Sequence, residues 1–521
     1  MSGNPKTDNR RAARRAASHR RTGWTVGKAV TGFVTFVALV ALLIGMVVVR
    51  PLPGLTAGGS RDTSAIERTV TQRVSVNYCP ARMTLSDSTQ YGDSAFQTSE
   101  GDIASSSRYA AFGAVYSSRI ASMTGEDKGE LEDKDPTDSS AVRTLAGNAD
   151  DGSLLQTTRL LSADDGTGVS SATVSWASSG DLRGLAATSC VDAGLSHAFL
   201  LPSTQTGWSH RLVVANATSK ATTVTVQAWG TSGGRLSLNL SGTLSVGANA
   251  ESTFDLSAAA PGQDALFVTV TSRETPVSAL VRVTAMNGLT PQGNDVVPES
   301  GEPAQRIAIA GVEGAQGVRA LLFAQEQASV ELSWITTNGL VTANNATVTP
   351  GKVESVDLGA PPAEAIGVGV TADVAVNASA VLTRSGDGGQ SDFAVATGGE
   401  PSTASAVAIP EQVDATVNVT NATREEASVT LFAYDAGGKL LGQRQIDLKA
   451  NGAASLAAGD LGQGVAAIRM DDAQSAASWN VTLGRGDLND KHVGAVAVIE
   501  PRALTPLRAQ IYAHQTLGVV G

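Results

Sequence analysis

Histidine, cysteine and aromatic residues are all sparse in this chain, and each shortage removes a class of function. The five histidines are scattered. His19 lies in a basic leader, and His197, His210, His492 and His514 form no spaced pair of the kind that holds zinc. There are only two cysteines, Cys79 and Cys190, and aromatics make up 4% of the residues. No phosphate loop or zinc-protease helix is present. Carboxylates are plentiful, yet none stands out as a paired acid and base. We therefore expect no catalytic residue, no metal and no cofactor, and read the chain as a non-enzyme.

What is present begins with charge. Arg10, Arg11, Arg14, Arg15, Arg20, Arg21 and Lys28 crowd the leader, and an uncharged apolar stretch follows over residues 29–49. About 20 apolar residues span a bilayer core as a helix, and Lys and Arg stay on the cytoplasmic side. Arg50-Pro51-Leu52-Pro53 follows the stretch where a cleaved signal peptide would carry small residues. The expected order is a basic cytoplasmic tail (1–28), a transmembrane signal-anchor helix (29–49) and a linker (50–68). The bulk of the chain then lies outside the cell membrane, with the lipid bilayer as its first partner.

The net charge of −11 hides a division. Residues 1–50 hold nine Lys and Arg against one acid, so the remainder carries a net −19. Such an exterior repels phosphate backbones and excludes nucleic acid as a partner. Mean hydropathy near zero argues against further spans. Beyond the membrane an oxidising compartment makes a Cys79–Cys190 disulfide the expected pairing.

Internal repeats give the architecture. Leu212-Val-Val-Ala-Asn216-Ala-Thr218 with its Val224-Thr-Val226 strand and Trp229 matches Val417-Asn-Val-Thr-Asn421-Ala-Thr423 with Val429-Thr-Leu431 and Tyr434 without a gap. Gly233-Gly234 or Gly437-Gly438 follows each aromatic. A middle copy runs through Ala320–Phe323, Val330–Trp334 and the turn Asn338-Gly339. Opening strands recur near Ala198, Ile307 and Val407, and closing strands near Ser278, Ala378 and Ala477. Ala172–Trp176 reads as an earlier, diverged copy of the closing strand. Period-two alternation within each unit marks half-buried antiparallel strands. The expected fold is all-β: tandem immunoglobulin-like β-sandwich units over 69–195, 196–303, 304–403 and 404–521. A closed, propeller-like assembly is the alternative. Trp229, Trp334 and Tyr434 are expected to anchor cores between sheets. Val496-Ala-Val-Ile499 resembles the opening of a fifth copy, and must either complete the fourth unit or pair with the first.

Several further stretches invite a site. The charged run Glu126–Asp135 reads as a solvated loop, and Asp133, Asp135 and Asp138, like Asn148–Gly152, lack the spacing of a calcium loop. Arg485-Gly486-Asp487 reads as turn chemistry rather than an adhesion tripeptide. Asn-x-Ser/Thr triplets occur at Asn216, Asn239, Asn345, Asn377, Asn418, Asn421 and Asn480.

The basic tail, the anchor, Thr-Ser-Cys190-Val and the Asn216 strand motif together resemble an uncharacterised family of actinobacterial, membrane-anchored envelope proteins. That resemblance implies location and architecture and assigns no activity. After Cys190 the chain departs from the family pattern, reading Asp192-Ala-Gly-Leu-Ser-His197. The expected function is presentation of β-sandwich repeats to cell-wall polysaccharide or an envelope protein. A wall hydrolase or glycosyl-transfer accessory is the alternative.

Overall fold

A computed structural model describes residues 66–85, 97–131, 135–506 and 508–513. The basic tail and residues 29–49 lie outside these, and among the described residues no helix is long and apolar enough to cross a membrane. Residues Thr69–Gln510 form one compact unit. The second unit takes in Met1–Arg68 and Ile511–Gly521. Its described part is the ends of two strands, Ile66–Thr71 and Arg508–Ala513, which pair with each other. A strand thus begins at Ile66, inside the stretch read as linker.

Val, Ile and Thr alternate along short runs broken by Gly, Asn and Asp, and the described residues fold mainly into antiparallel strands, with a few helical turns. One strand order recurs four times. In the second repeat eight strands run from Ser196–Leu201 to Thr290–Val297. The first, sixth, third and fourth pair in that order as one sheet; the fifth, second, seventh and eighth form the other. The first repeat (Val74–Ser189) and the fourth (Ala404–Ile499) follow the same order. In the third (Ala304–Thr397), the sixth and seventh strands fuse into Ala365–Ser385, which serves both sheets. Alternate residues from the two sheets meet in a shared core. In the second repeat Val224, Val226 and Val268 of one sheet join Leu212, Val214 and Val281 of the other.

One expectation needs correction. The charged run that starts at Glu126 is in part a strand. Asp127–Leu131 is the fourth strand of the first repeat and pairs with Val115–Ser122. Its charges suit an edge, because Lys and acids on an unpaired strand discourage another chain from adding to it. Of the two alternatives for Val496–Ile499, the structure shows completion of the fourth repeat. Ala497–Ile499 pairs with Ala477–Gly484 as the eighth strand of the fourth repeat, and Arg502–Ala503 then pairs with that repeat's first strand, Ala404–Ala408.

The disulfide joins Cys79, at the end of the first strand, to Cys190, just past the eighth, with Cα atoms 4.4 Å apart. It closes the first repeat end to end.

Candidate functional site

The repeats touch one another through built joints. Between the second and third, Phe267 stacks on Phe323 at 3.9 Å, and Trp229 lies 5.7 Å from both rings. Trp229 is half-buried at this joint rather than central to one core. Between third and fourth, Asn480 donates to the Ala310 carbonyl (2.9 Å) and Arg306 to Ala422 (3.1 Å). Between first and second, Arg282 donates to the Ala81 carbonyl at 2.9 Å. The fourth repeat then meets the first. Tyr434 packs edge-on to Phe112 (6.2 Å), Arg108 donates to Glu411 (2.8 Å), and the Arg485 guanidinium lies 4.1 Å from the Trp176 ring centre. The four repeats are therefore closed on themselves. Trp334 alone of the three recurring aromatics sits within its own repeat's core.

The eighth strands converge, and their edges bring backbone N–H groups that have no strand to pair with. A buried N–H left unpaired is costly. Asp392 of the third repeat resolves this. Its carboxylate accepts from Leu185 N (2.8 Å) in the first repeat, Asn294 N (3.1 Å) in the second and Val496 N (3.1 Å) in the fourth. One side chain thus bonds to the other three repeats. Asp295 accepts from Val395 N (2.8 Å), and Glu500 from Thr397 N (3.0 Å). Gly184 and Gly293, both at positive φ, make the approach possible. A Cβ on either would lie 2.7 Å from Asp392 side-chain atoms. Burial pushes the Asp392 and Glu500 carboxyls up to about 8. Burial, with the neighbouring Asp392 adding to it, raises Asp295 well above the carboxylate range.

Two open clefts of about 490 Å³ each flank the joint of the second and third repeats. The first is acidic, lined by His197, Glu299, Glu302 and Glu326. His197 faces two acceptors, Glu299 at 3.0 Å from Nδ1 and the Val277 carbonyl at 2.7 Å from Nε2, an arrangement that favours the imidazolium. Burial pulls its pKa down, but the hydrogen bond and charge of Glu299 outweigh burial and hold it above the ordinary value. The second cleft is lined by Trp208 and Phe393, 5.2 Å apart, with Gln205, Asp264, Arg319 and Asp357 around them. Gly207 sets Trp208 in place. At φ +97 it accepts from Met286 N at 2.8 Å, and a Cβ there would strike the Met286 carbonyl.

The residues singled out in the sequence have mostly structural employment. Asn216 is fully buried; its amide donates to the Lys220 and Gly247 carbonyls, and its oxygen accepts from Thr218 N and Oγ1. Asn421 repeats these bonds with Glu425, Lys449 and Thr423. Asn418 and Asn480 are also fully buried, while Asn239 and Asn345 are exposed. Arg485 pairs with Asp487 (3.0 Å) at the start of the short helix Gly486–Asp490. Asp135 and Asp138 accept from Thr137 and Ser140 in local turns, and Asp150 accepts from Ser105. His210 is buried with Ser257 Oγ 3.3 Å from Nδ1, and burial lowers its pKa to about 3. Gly230-Thr231-Ser232-Gly233-Gly234 has the Gly-x-Ser-x-Gly spacing of a nucleophile elbow, but it leads into turns rather than a helix. Sequence reasoning missed Asp392, Asp295, Glu500 and Trp208.

This sequence matches a family of unknown function (DUF5719) over residues 145–459, more than half of the chain. The chain belongs to that family. The DUF5719 match runs from the fifth strand of the first repeat into the fourth repeat, and so takes in both clefts and the Asp392 contacts with the first and second repeats. Comparison with curated proteins gives no match.

Proposed function

We propose that this DUF5719 protein is a non-enzymatic, exported envelope protein, anchored by residues 29–49, whose closed β body binds cell-wall polymer or an envelope protein. The two-sheet repeats are, in this reading, immunoglobulin-like sandwiches with an added strand. The Cys79–Cys190 disulfide supports an oxidising location. The binding role rests on one observation, the open cleft carrying half-buried Trp208 between two repeats. Concave sites with aromatic walls and a few placed polar groups are how proteins hold small ligands.

The alternative, a wall hydrolase or glycosyl-transfer accessory, has one observation in its favour: the three glutamates of the acidic cleft. The test is retention of the purified ectodomain (residues 60–521) on isolated wall polysaccharide and on detergent-solubilised membranes, at low and high salt. Retention on either supports a binding role, with salt sensitivity pointing to the acidic surface. Retention on neither ends it.

A further inference from the structure

We infer that the Trp208 cleft is a saccharide site and that its ligand is a neutral pyranose chain. The inference rests on the binding role proposed above and names the ligand class. Trp208 lines the cleft while packed on buried Phe393, so the indole is a held aromatic wall and not a free rotor. The loop before it is fixed at both ends: Thr204 N donates to the Gln263 carbonyl at one, and the Gly207 carbonyl accepts from Met286 N at the other. Around the indole stand planar polar groups of every type. Arg319 and Asp357 are directly opposite each other on neighbouring strands of the third repeat. Gln205 is hydrogen-bonded to Asp264 across the second repeat's loops.

A pyranose ring presents an apolar C–H face that packs on an indole, and a rim of hydroxyls that each donate one bond and accept two. A carboxylate takes the donated bonds, a guanidinium supplies the accepted ones, and an amide does both. The two carboxylates against one guanidinium disfavour an anionic ligand, and the aromatic wall disfavours a small inorganic ion. The cleft volume of about 490 Å³ lies within the usual range of small-ligand sites, roughly 300–1,000 Å³. Its openness to solvent between two repeats suits a chain that continues beyond the site.

The test titrates the full-length chain in detergent with neutral hexasaccharides: a β-linked glucan, an α-linked mannan and an N-acetylglucosamine oligomer. Affinity is read by calorimetry, and tryptophan emission reports the indole. At least one sugar is expected to bind and to change the emission. Trp208→Ala should weaken it tenfold or more, and Asp357→Asn, at an exposed strand position, several-fold. Trp208→Phe, which keeps an aromatic wall, should fall between wild type and Trp208→Ala. Absence of binding by all three sugars overturns the proposal, as does binding lost in Glu326→Gln but unchanged in Trp208→Ala. If the chain retains a membrane protein but no sugar, this inference fails while the wider binding role stands.

Discussion

Asn216 and Asn421 show what a recurring residue is for. Each closes the turn between the second and third strands with four hydrogen bonds from one buried side chain. Removing the amide leaves two carbonyls and a backbone N–H to find other partners. We predict that Asn216→Ala and Asn421→Ala each cost about 2–4 kcal/mol, since an orphaned buried group costs about 1–3 kcal/mol; urea unfolding measures it. Asp392 carries a pH signature. Its carboxyl titrates near 8 when folded and near 4 when unfolded, so the folded chain holds the proton more tightly. The stability this gives is full below about pH 4 and is lost as pH rises through 8. His210, depressed to about 3, acts oppositely, but only below its unfolded pKa of about 6.5. Between pH 6.5 and 9 stability should therefore fall with rising pH, by up to about 1.4 kcal/mol per unit for each such carboxyl. Asp392→Asn should flatten that slope; an unchanged slope from thermal melts across this range would contradict the assignment.

Strands were the legible level of this chain. Val224-Thr-Val226 and Val429-Thr-Leu431 announce half-buried strands by alternation alone, and the opening and closing motifs fall on the first and seventh strands of successive repeats. The edge strand Asp127–Leu131 was hidden because its charges look like a loop, although an exposed edge selects for them. Val496–Ile499 was ambiguous because a first strand and an eighth strand carry the same apolar alternation; only pairing with Ala477–Gly484 decides between them. The buried acids between the eighth strands left no pattern. Asp392, Asp295 and Glu500 sit in different local sequences, and their partners lie about a hundred residues or more away. Trp208 was missed because it precedes the recurring Leu212–Thr218 motif instead of lying in it. At this scale the disulfide is also testable. It links residues 111 apart, spanning the first repeat from its first strand to its last. Replacing Cys79 and Cys190 by Ser should cost about 4–5 kcal/mol in the chain-entropy model, with the loss greatest in the first repeat by hydrogen exchange.

Joints decide how the whole molecule behaves. A string of repeats would unfold in steps, each neighbour adding its own interface. Here the fourth repeat also meets the first, through Tyr434 on Phe112 and Arg485 over Trp176, and one carboxylate bonds to the other three repeats. Closure ties the second and third repeats, whose joint the clefts flank, into the rest of the body, which would limit the ordering cost of the binding proposed above. We predict from this closure that residues Thr69–Gln510, one compact unit, unfold as a single cooperative body. Calorimetric unfolding of the disulfide-intact chain tests that claim most directly, comparing wild type with Asp392→Ala. One transition is predicted for the wild type, with a van't Hoff enthalpy matching the calorimetric one, and a broadened or split transition for the variant. Several independent transitions in the wild type, unaltered by Asp392→Ala, would contradict the account.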